Sequence, residues 1–496
     1  YKRQVVDGAV QKYSGASTVD SLDIQDATTS VTLDGAVTTQ TTLDINSGGT
    51  LTQNAKVDAG TSLDYDAGGA LTINETIAAT TVDIDATGVT TIAEAGDITA
   101  SDAVTFGANK SGDLKTAGEI TTTDDDVTFT NMVTLQGNVA IDTGAGAGNI
   151  IFSHKKDGDS TIATGDYNLT LDAGSAGNIT AASSIAGGGA LTVVDGAVQL
   201  YSGAITVDSL NIQDATTSVT LDGDVTTQTT LDINTLTGKL IQNAKVDAGS
   251  SVDYDAAGTI EINKSIKSGT AVDIDATGVT TIAEAGDITA SGAVTFGANK
   301  TGTLTTAGEI TTTDDNVTFT NAVTQSGDVA IDTGGTSAGN ILFKSTVATS
   351  DKNLTLDAGA AGNITADKSI TGGGAFTVVD GAVQLYSGAI TVDTLDIQDA
   401  TTSVTLDGDV TTETTLDINT LTGKLIQNAK VDAGSSLDYD AAGTIEINKS
   451  IQSGTTIDID ATGVTTIAEA GDITSSGAVT FGANKTGCLL YTSPSP

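Results

Sequence analysis

The stretch Leu22-Asp23-Ile24-Gln25-Asp26-Ala27-Thr28-Thr29-Ser30-Val31-Thr32-Leu33 carries the pattern from which the fold is read. It holds two apolar–x–apolar triplets, Leu22-Asp23-Ile24 and Val31-Thr32-Leu33, with polar and small residues between them. Alternation with a period of two places each apolar pair on one side of a strand and the Asp or Thr on the other. The first triplet recurs as Leu43-Asp44-Ile45, Leu63-Asp64-Tyr65 and Val104-Thr105-Phe106, and the second as Leu71-Thr72-Ile73. Triplets begin at Leu22, Leu43, Leu63, Val82, Val104, Val127, Ile150, Leu169, Leu191 and Leu210, at nearly even spacing. Nine rungs of about 21 residues are therefore expected between Leu22 and Leu210.

Strands this short cannot bury a face alone. Coiling the chain so that each rung stacks on the last closes a continuous Val/Ile/Leu core and pairs every strand above and below. The expected fold is all-β, a right-handed parallel β-helix (β-solenoid) with about 21 residues per rung. At a strand spacing of ~4.8 Å, about 23 rungs would make a rod on the order of 110 Å long. The competing architecture, a string of β-sandwiches, predicts an aromatic core anchor in each domain and linker-like breaks between domains. Aromatics are only 3% of the chain, and no such break is visible.

A longer period lies over the rung. Val5-Val6-Asp7-Gly8-Ala9-Val10-Gln11 returns at Val193 and again at Val378. The second and third copies, compared over 193–302 and 378–487, differ at eight positions, among them Ser209/Thr394, Asn211/Asp396, Gln228/Glu413 and Val252/Leu437. The organisation expected is long repeat 1 over 5–192, long repeat 2 over 193–377 and long repeat 3 over 378–487. The main length change falls at Ser153-His154-Lys155-Lys156-Asp157-Gly158-Asp159, which reads as a loop. Residues 488–496 (Cys488-Leu489-Leu490-Tyr491-Thr492-Ser493-Pro494-Ser495-Pro496) resemble a translated sequencing adapter. Residues 1–4 (Tyr1-Lys2-Arg3-Gln4) resemble its opposite strand, and both ends are set aside from fold reasoning. They hold the chain's cysteine, its arginine and both prolines, so the remainder offers neither a disulfide framework nor thiolate zinc ligands.

Charge narrows the function classes. There are 63 acidic against 20 basic residues, a formal net charge of -43, so no basic stripe exists to neutralise phosphates and nucleic acid is not an expected partner. No transmembrane run is visible. The single histidine, His154, sits in the insertion loop and builds no nucleophilic constellation with Ser or Asp. No phosphate loop occurs, and Gly187-Gly188-Gly189 leads into a strand rather than a helix. An enzyme is not expected. Parallel β-helices that act on polysaccharides are the catalytic alternative, but here aspartates stand at the same place in every copy, whereas a catalytic groove is singular.

The acidic ladder is the candidate site. Asp23, Asp44, Asp64 and Asp83 take the outward middle position on four successive rungs of the first copy. The second copy reads Asn211, Asp232, Asp253 and Asp273, and the third Asp396, Asp417, Asp438 and Asp458. Like charges ~5 Å apart repel by somewhat under ~1 kcal/mol per pair in water. Burial of each apolar side chain returns about 1.5–3 kcal/mol, so the ladder is tolerated. Bound cations would relieve it, and rows of oxygen ligands suit Ca²⁺, making these aspartates candidate calcium ligands. The Gly-Gly-x-Gly-x-Asp nonapeptide of calcium-binding β-rolls does not occur, and solvated acidity that keeps a rod soluble is the plainer role. No other cofactor is expected. Outward Thr32, Thr72, Thr105 and Thr128 form a second stripe, suited to exposed strands.

The recurring phrases "GNIT", "GDIT", "LTLDAG" and "VTLDG" resemble the repeat regions of large secreted bacterial adhesins, the filamentous-haemagglutinin-like and autotransporter passenger proteins. The resemblance covers Val5–Gly487 and rests on repeat style. It implies a structural shaft segment of an extracellular or bacterial cell-surface adhesin, with an unidentified surface or matrix ligand. A calcium-binding surface or biofilm-matrix module is the alternative.

Overall fold

The computed structural model describes residues 2–153, 161–335 and 337–492. It is all-β, with no helix among the described residues, and every strand pairing within it is parallel. The insertion residues His154, Lys155 and Lys156, and residues 493–496, lie outside the described residues. Two compact units divide the chain: Tyr1–Gly249 with Asp255–Ala257, and Ser250–Tyr254 with Gly258–Pro496. Each is a β-solenoid with about 21 residues per turn.

In the first unit a turn has three faces. Thr42–Ser47, Thr50–Gln53 and Val57–Ala59 form one turn; Ser62–Ala67, Leu71–Ile73 and Ile77–Ala79 stack directly above them. The reading of two triplets per rung thus missed a third, shorter strand such as Val57-Asp58-Ala59. Its inward pair, Val57 and Ala59, is as buried as the others. One inward column runs through Leu22, Leu43, Leu63, Val82, Val104, Val127, Ile150 and Ile179 in unbroken register. The next inward column carries Ile24, Ile45, Tyr65, Ile84, Phe106, Phe129 and Phe152. The phenylalanine rings are held parallel, with centroids 5.2 Å and 4.8 Å apart. Strand spacing sets that separation, and the rings fill the interior at the density a core requires.

Corners are built from Asn and Asp in a way that explains the "GNIT" texture. Asn149 donates from N and Nδ2 to Asp126 Oδ1, and Asn178 does the same to Asn149 Oδ1 one turn on. Val198 N then donates to Asn178 Oδ1 at 3.1 Å. The side chain before each strand therefore satisfies a backbone N–H that the bend leaves without a strand partner. A second corner ladder joins Asp34, Asn54 and Asn74. Not all inward positions are apolar: Gln53, Gln199 and Gln242 are fully buried. Gln53 Nε2 donates to Glu75 O, and Gln199 Oε1 accepts from the Tyr201 hydroxyl.

The long repeat does not close on the turn. Ile150 stacks under Ile179 and not under Leu169; Leu169 stacks on Val139, on another face. Leu210, the copy of Leu22, continues the Leu169–Leu191 column. Counting Ser21–Leu33 as two strands because it spans two faces, 26 strand steps separate Leu22 from Leu210 among the described residues. Nine three-strand turns would need one more. The expected nine rungs are thus one strand short, and the second copy begins one face round from the first.

The second unit shows the same displacement independently. Val272 starts a column through Val294, Val317, Ile341 and Ile364 to Gln384, Val404, Leu425 and Ile445. Its copy, Ile457, belongs to a different column, through Leu437, Leu416, Leu395 and Phe376. The repeat boundaries are not structural breaks either: 192/193 falls inside the strand Leu191–Asp195 and 377/378 inside Ala375–Tyr386.

Candidate functional site

Parallel register brings the first ladder together as the alternation requires. Asp23 stands beside Asp44, Asp44 beside Asp64 and Asp64 beside Asp83. Gln4 and Gln25 each donate from Nε2 to Asp23 Oδ2, and above Asp83 the column continues as Thr105 and Thr128. In the same unit Asn211 stands beside Asp232 on a different face. In the second unit Asp253 is exposed on the strand Val252–Ala256, and Asp273 stands beside Thr295. The third-copy ladder is complete there: Asp396, Asp417, Asp438 and Asp458 in successive register, then Thr480. Within each unit, then, an acidic column is accompanied by a copy on another face. The threonine stripe divides in the same way, because Thr32 and Thr72 share a column with Thr52 and Thr91 while Thr105 and Thr128 continue the acidic one.

Partial desolvation, and after it the crowding of one carboxylate onto the next, raises their proton affinity. Partial loss of solvation pushes Asp64 up to about 6, helped by the charges of Asp44, Asp83, Asp66 and Asp85. Asp438 is raised to about 6 by the same desolvation and by Asp417, Asp458, Asp440 and Asp460. Asp44, Asp83, Asp232, Asp417 and Asp458 move in the same direction, with desolvation the leading cause in each. The ladder itself supplies one carboxylate to a turn. Among the described residues no group of three or more acids, histidines or cysteines converges on a point where a metal ion would sit.

Beside the ladder lies a clasp that alternation alone conceals. Asp85 should face solvent like Asp83, yet it is 1% exposed, as Asp275 and Asp460 are 2% exposed at the equivalent positions. The cover is the loop Phe106-Gly107-Ala108-Asn109-Lys110 of the next turn, repeated at 296–300 and 481–485. Asn109 donates its backbone N to both Asp85 oxygens at 3.1 Å and its Nδ2 to Oδ2 at 2.7 Å. Lys110 reaches one turn further back and pairs with Asp66 Oδ1 at 2.8 Å, as Lys485 pairs with Asp440. Asp66 and Asp85 are register neighbours, so the loop ties three turns together. Gly107 permits the fold-back: its φ is +74°, and a Cβ there would overlap the Asn131 side chain. The signal available in the sequence was the threefold recurrence of Phe-Gly-Ala-Asn-Lys, each copy one rung after an Asp-Ala-Thr-Gly.

The clasp makes a local prediction. Asn109→Ala leaves the buried Asp85 carboxylate without its side-chain amide donor, a loss of about 1 kcal/mol. Hydrogen exchange of the 106–110 loop should accelerate by about fivefold, with the same effect from Asn299→Ala in its own loop. Unchanged exchange in both variants would remove the clasp's structural role.

These features define the class: a β-solenoid repeat protein with an acidic outer column. No protein-family model matches the chain, and no curated protein and no solved structure is significantly similar to it. Among the described residues no helix is long and apolar enough to cross a membrane.

Proposed function

We propose that this chain is a structural shaft segment of a large extracellular or cell-surface bacterial adhesin, and that it performs no catalysis. The observation that carries the reading is the stacking of near-identical long repeats into uninterrupted parallel columns, which adds length with each copy. The mechanical part is the rung itself: strands inside the stack donate and accept along the column, so stiffness comes from backbone hydrogen bonds. The acidic columns keep such a surface hydrated and self-repelling. Small-angle scattering tests the shaft. The shaft reading requires an elongated particle, with a radius of gyration above about 30 Å. A compact particle of this length would give about 23 Å, and that value would overturn the reading.

A calcium-binding surface or matrix module is the second reading, favoured by the register that sets Asp23, Asp44, Asp64 and Asp83 beside one another in one column of oxygen ligands. The shaft alone predicts no difference in melting between EDTA and millimolar CaCl₂ at matched ionic strength. A specific site loaded 100-fold above its Kd would add about 2.7 kcal/mol to the turns that hold it. A calcium-dependent rise in melting temperature would establish the module and displace simple solvated acidity.

A further inference from the structure

The two described copies of one corner differ where a ligand would touch them. In the first unit, a surface groove of 520 Å³ lies between successive turns, floored by Ala93 and Ala117 and edged by Glu94, Gln136, Asn138 and Tyr167. The second long repeat keeps the floor as Ala283 and Ala307 and keeps the acid as Glu284, but it replaces Gln136 with Ser326, Asn138 with Asp328 and Tyr167 with Lys352. The framework is constant, and the variation sits at the rim.

Tyr167 differs from the tyrosines of the repeated core. Tyr65, Tyr201, Tyr254, Tyr386 and Tyr439 are fully buried in the core, whereas Tyr167 is 40% exposed. Its turn is fixed: Tyr167 N donates to Thr164 O at 3.1 Å, and Gly165 adopts a φ of +59°. A ring held at the edge of a groove costs little further ordering when it meets a ligand. Asn138 Oδ1 accepts from Asn168 N at 2.9 Å, which anchors the amide and leaves Nδ2 without a partner among the described residues. Gln136 and Glu94 are both exposed on the same rim.

We propose that this groove binds a neutral saccharide, with one sugar face stacked on Tyr167 and its hydroxyls hydrogen-bonded by Asn138, Gln136 and Glu94. A flat aromatic face beside amides and one carboxylate matches the alternating apolar faces and hydroxyl edges of a pyranose. The volume falls within the range of small-ligand sites. A net charge of -43 disfavours anionic glycans, which selects neutral ones. The second repeat, with Lys352 and Asp328 in place of ring and amide, lacks this site. The inference does not depend on the shaft reading, which scattering tests separately.

Saturation-transfer NMR and calorimetry on the full chain, with maltotriose, cellotriose, xylotriose and chitotriose as probes, decide it. At least one should bind saturably with a millimolar or tighter Kd. Tyr167→Ala should weaken that binding by about tenfold or more, and Tyr167→Phe should retain it. Importing the second repeat's rim (Gln136→Ser, Asn138→Asp, Tyr167→Lys) should abolish binding with the circular dichroism unchanged. Lack of binding by all four probes overturns the proposal, as does binding that survives Tyr167→Ala. A peptide or a sulfated oligosaccharide that binds in their place would also overturn it.

Discussion

Phe129→Ala is expected to cost about 3–5 kcal/mol, and the loss is expected to stay within the turns around it. Phe129 is 1% exposed and is the middle ring of a stack, with parallel neighbours 5.2 Å below and 4.8 Å above. Deleting it removes contacts from both faces at once. The surroundings have little freedom to collapse, because Val104, Val127 and Ile150 fix the backbone of the same three turns through the strand ladder. The cavity therefore persists, and its cost is added to the lost transfer energy. A solenoid turn packs chiefly on its neighbours, so a melt of the whole chain will not be two-state and cannot locate the loss. Hydrogen exchange resolves the effect: amides between Val104 and Phe152 should lose protection while those between Leu22 and Ile45 keep theirs. Phe319→Ala repeats the experiment in the second unit, where Phe296, Phe319 and Phe343 stack at 5.2 Å and 4.8 Å. Loss of protection along the entire chain, or none near Phe129, would contradict nearest-neighbour stability.

The same locality explains what could and could not be read from the sequence. Alternation within Leu43-Asp44-Ile45 determines which side chains point inward, and the column from Leu22 to Ile150 follows from spacing alone. A triplet carries no mark of its face, however. Leu169-Thr170-Leu171 looks like the next member after Ile150-Ile151-Phe152, and the gap between them is ordinary, yet it stacks on Val139. The turn that holds the insertion is longer than its neighbours, running from Ile150 to Ile179, and counting triplets stepped across it onto another face. Only strand register reveals that the long repeat is one strand short of nine turns. Burial of Asp85 was hidden for a related reason: alternation describes a strand and its two sides, whereas the Asn109 loop that covers this carboxylate comes from the next turn. The buried glutamines escaped because Leu51-Thr52-Gln53 reads as an apolar residue followed by an outward polar pair. Gln53 in fact turns inward, where backbone carbonyls and the Tyr65 hydroxyl satisfy its amide.

Mild acid should stabilise this protein, the reverse of what ion-paired carboxylates do. Asp64 and Asp438 titrate near 6 in the folded state and near 3.8 in the unfolded chain. Between those values the folded state holds more protons, so unfolding free energy falls as pH rises. The stabilisation is complete below the unfolded pKa and is lost as pH climbs through about 6. A shift of this size in a fully buried group would correspond to about 3 kcal/mol. Both carboxyls are partly exposed, and solvent screening reduces that to on the order of 1 kcal/mol each, about 2 kcal/mol for the two ladders together. Asp44, Asp83, Asp232, Asp417 and Asp458 add to it in the same direction. Asp34 opposes it, because its bonds from Lys12 and Asn54 hold its carboxyl below the usual range. The window for the gain is therefore pH 7.5 to about 5, above the point where Asp34 is protonated. Exchange protection along the Leu43–Ala86 turns should be greater at pH 5 than at pH 7.5, once intrinsic exchange rates are corrected. Asp64→Asn should raise protection at pH 7.5 and flatten the dependence on pH, since it removes the charge while keeping the outward shape. The chain already contains one such substitution, with Asn211 at the foot of the second ladder where the first has Asp23. High salt should mimic part of the acid effect by screening, and Asp64→Asn should blunt that too. Protection that falls steadily from pH 7.5 to 5 in the parent chain would show that the stacked carboxylates are relieved by solvent alone, and the ladder would then carry no stored repulsion for a proton or cation to release.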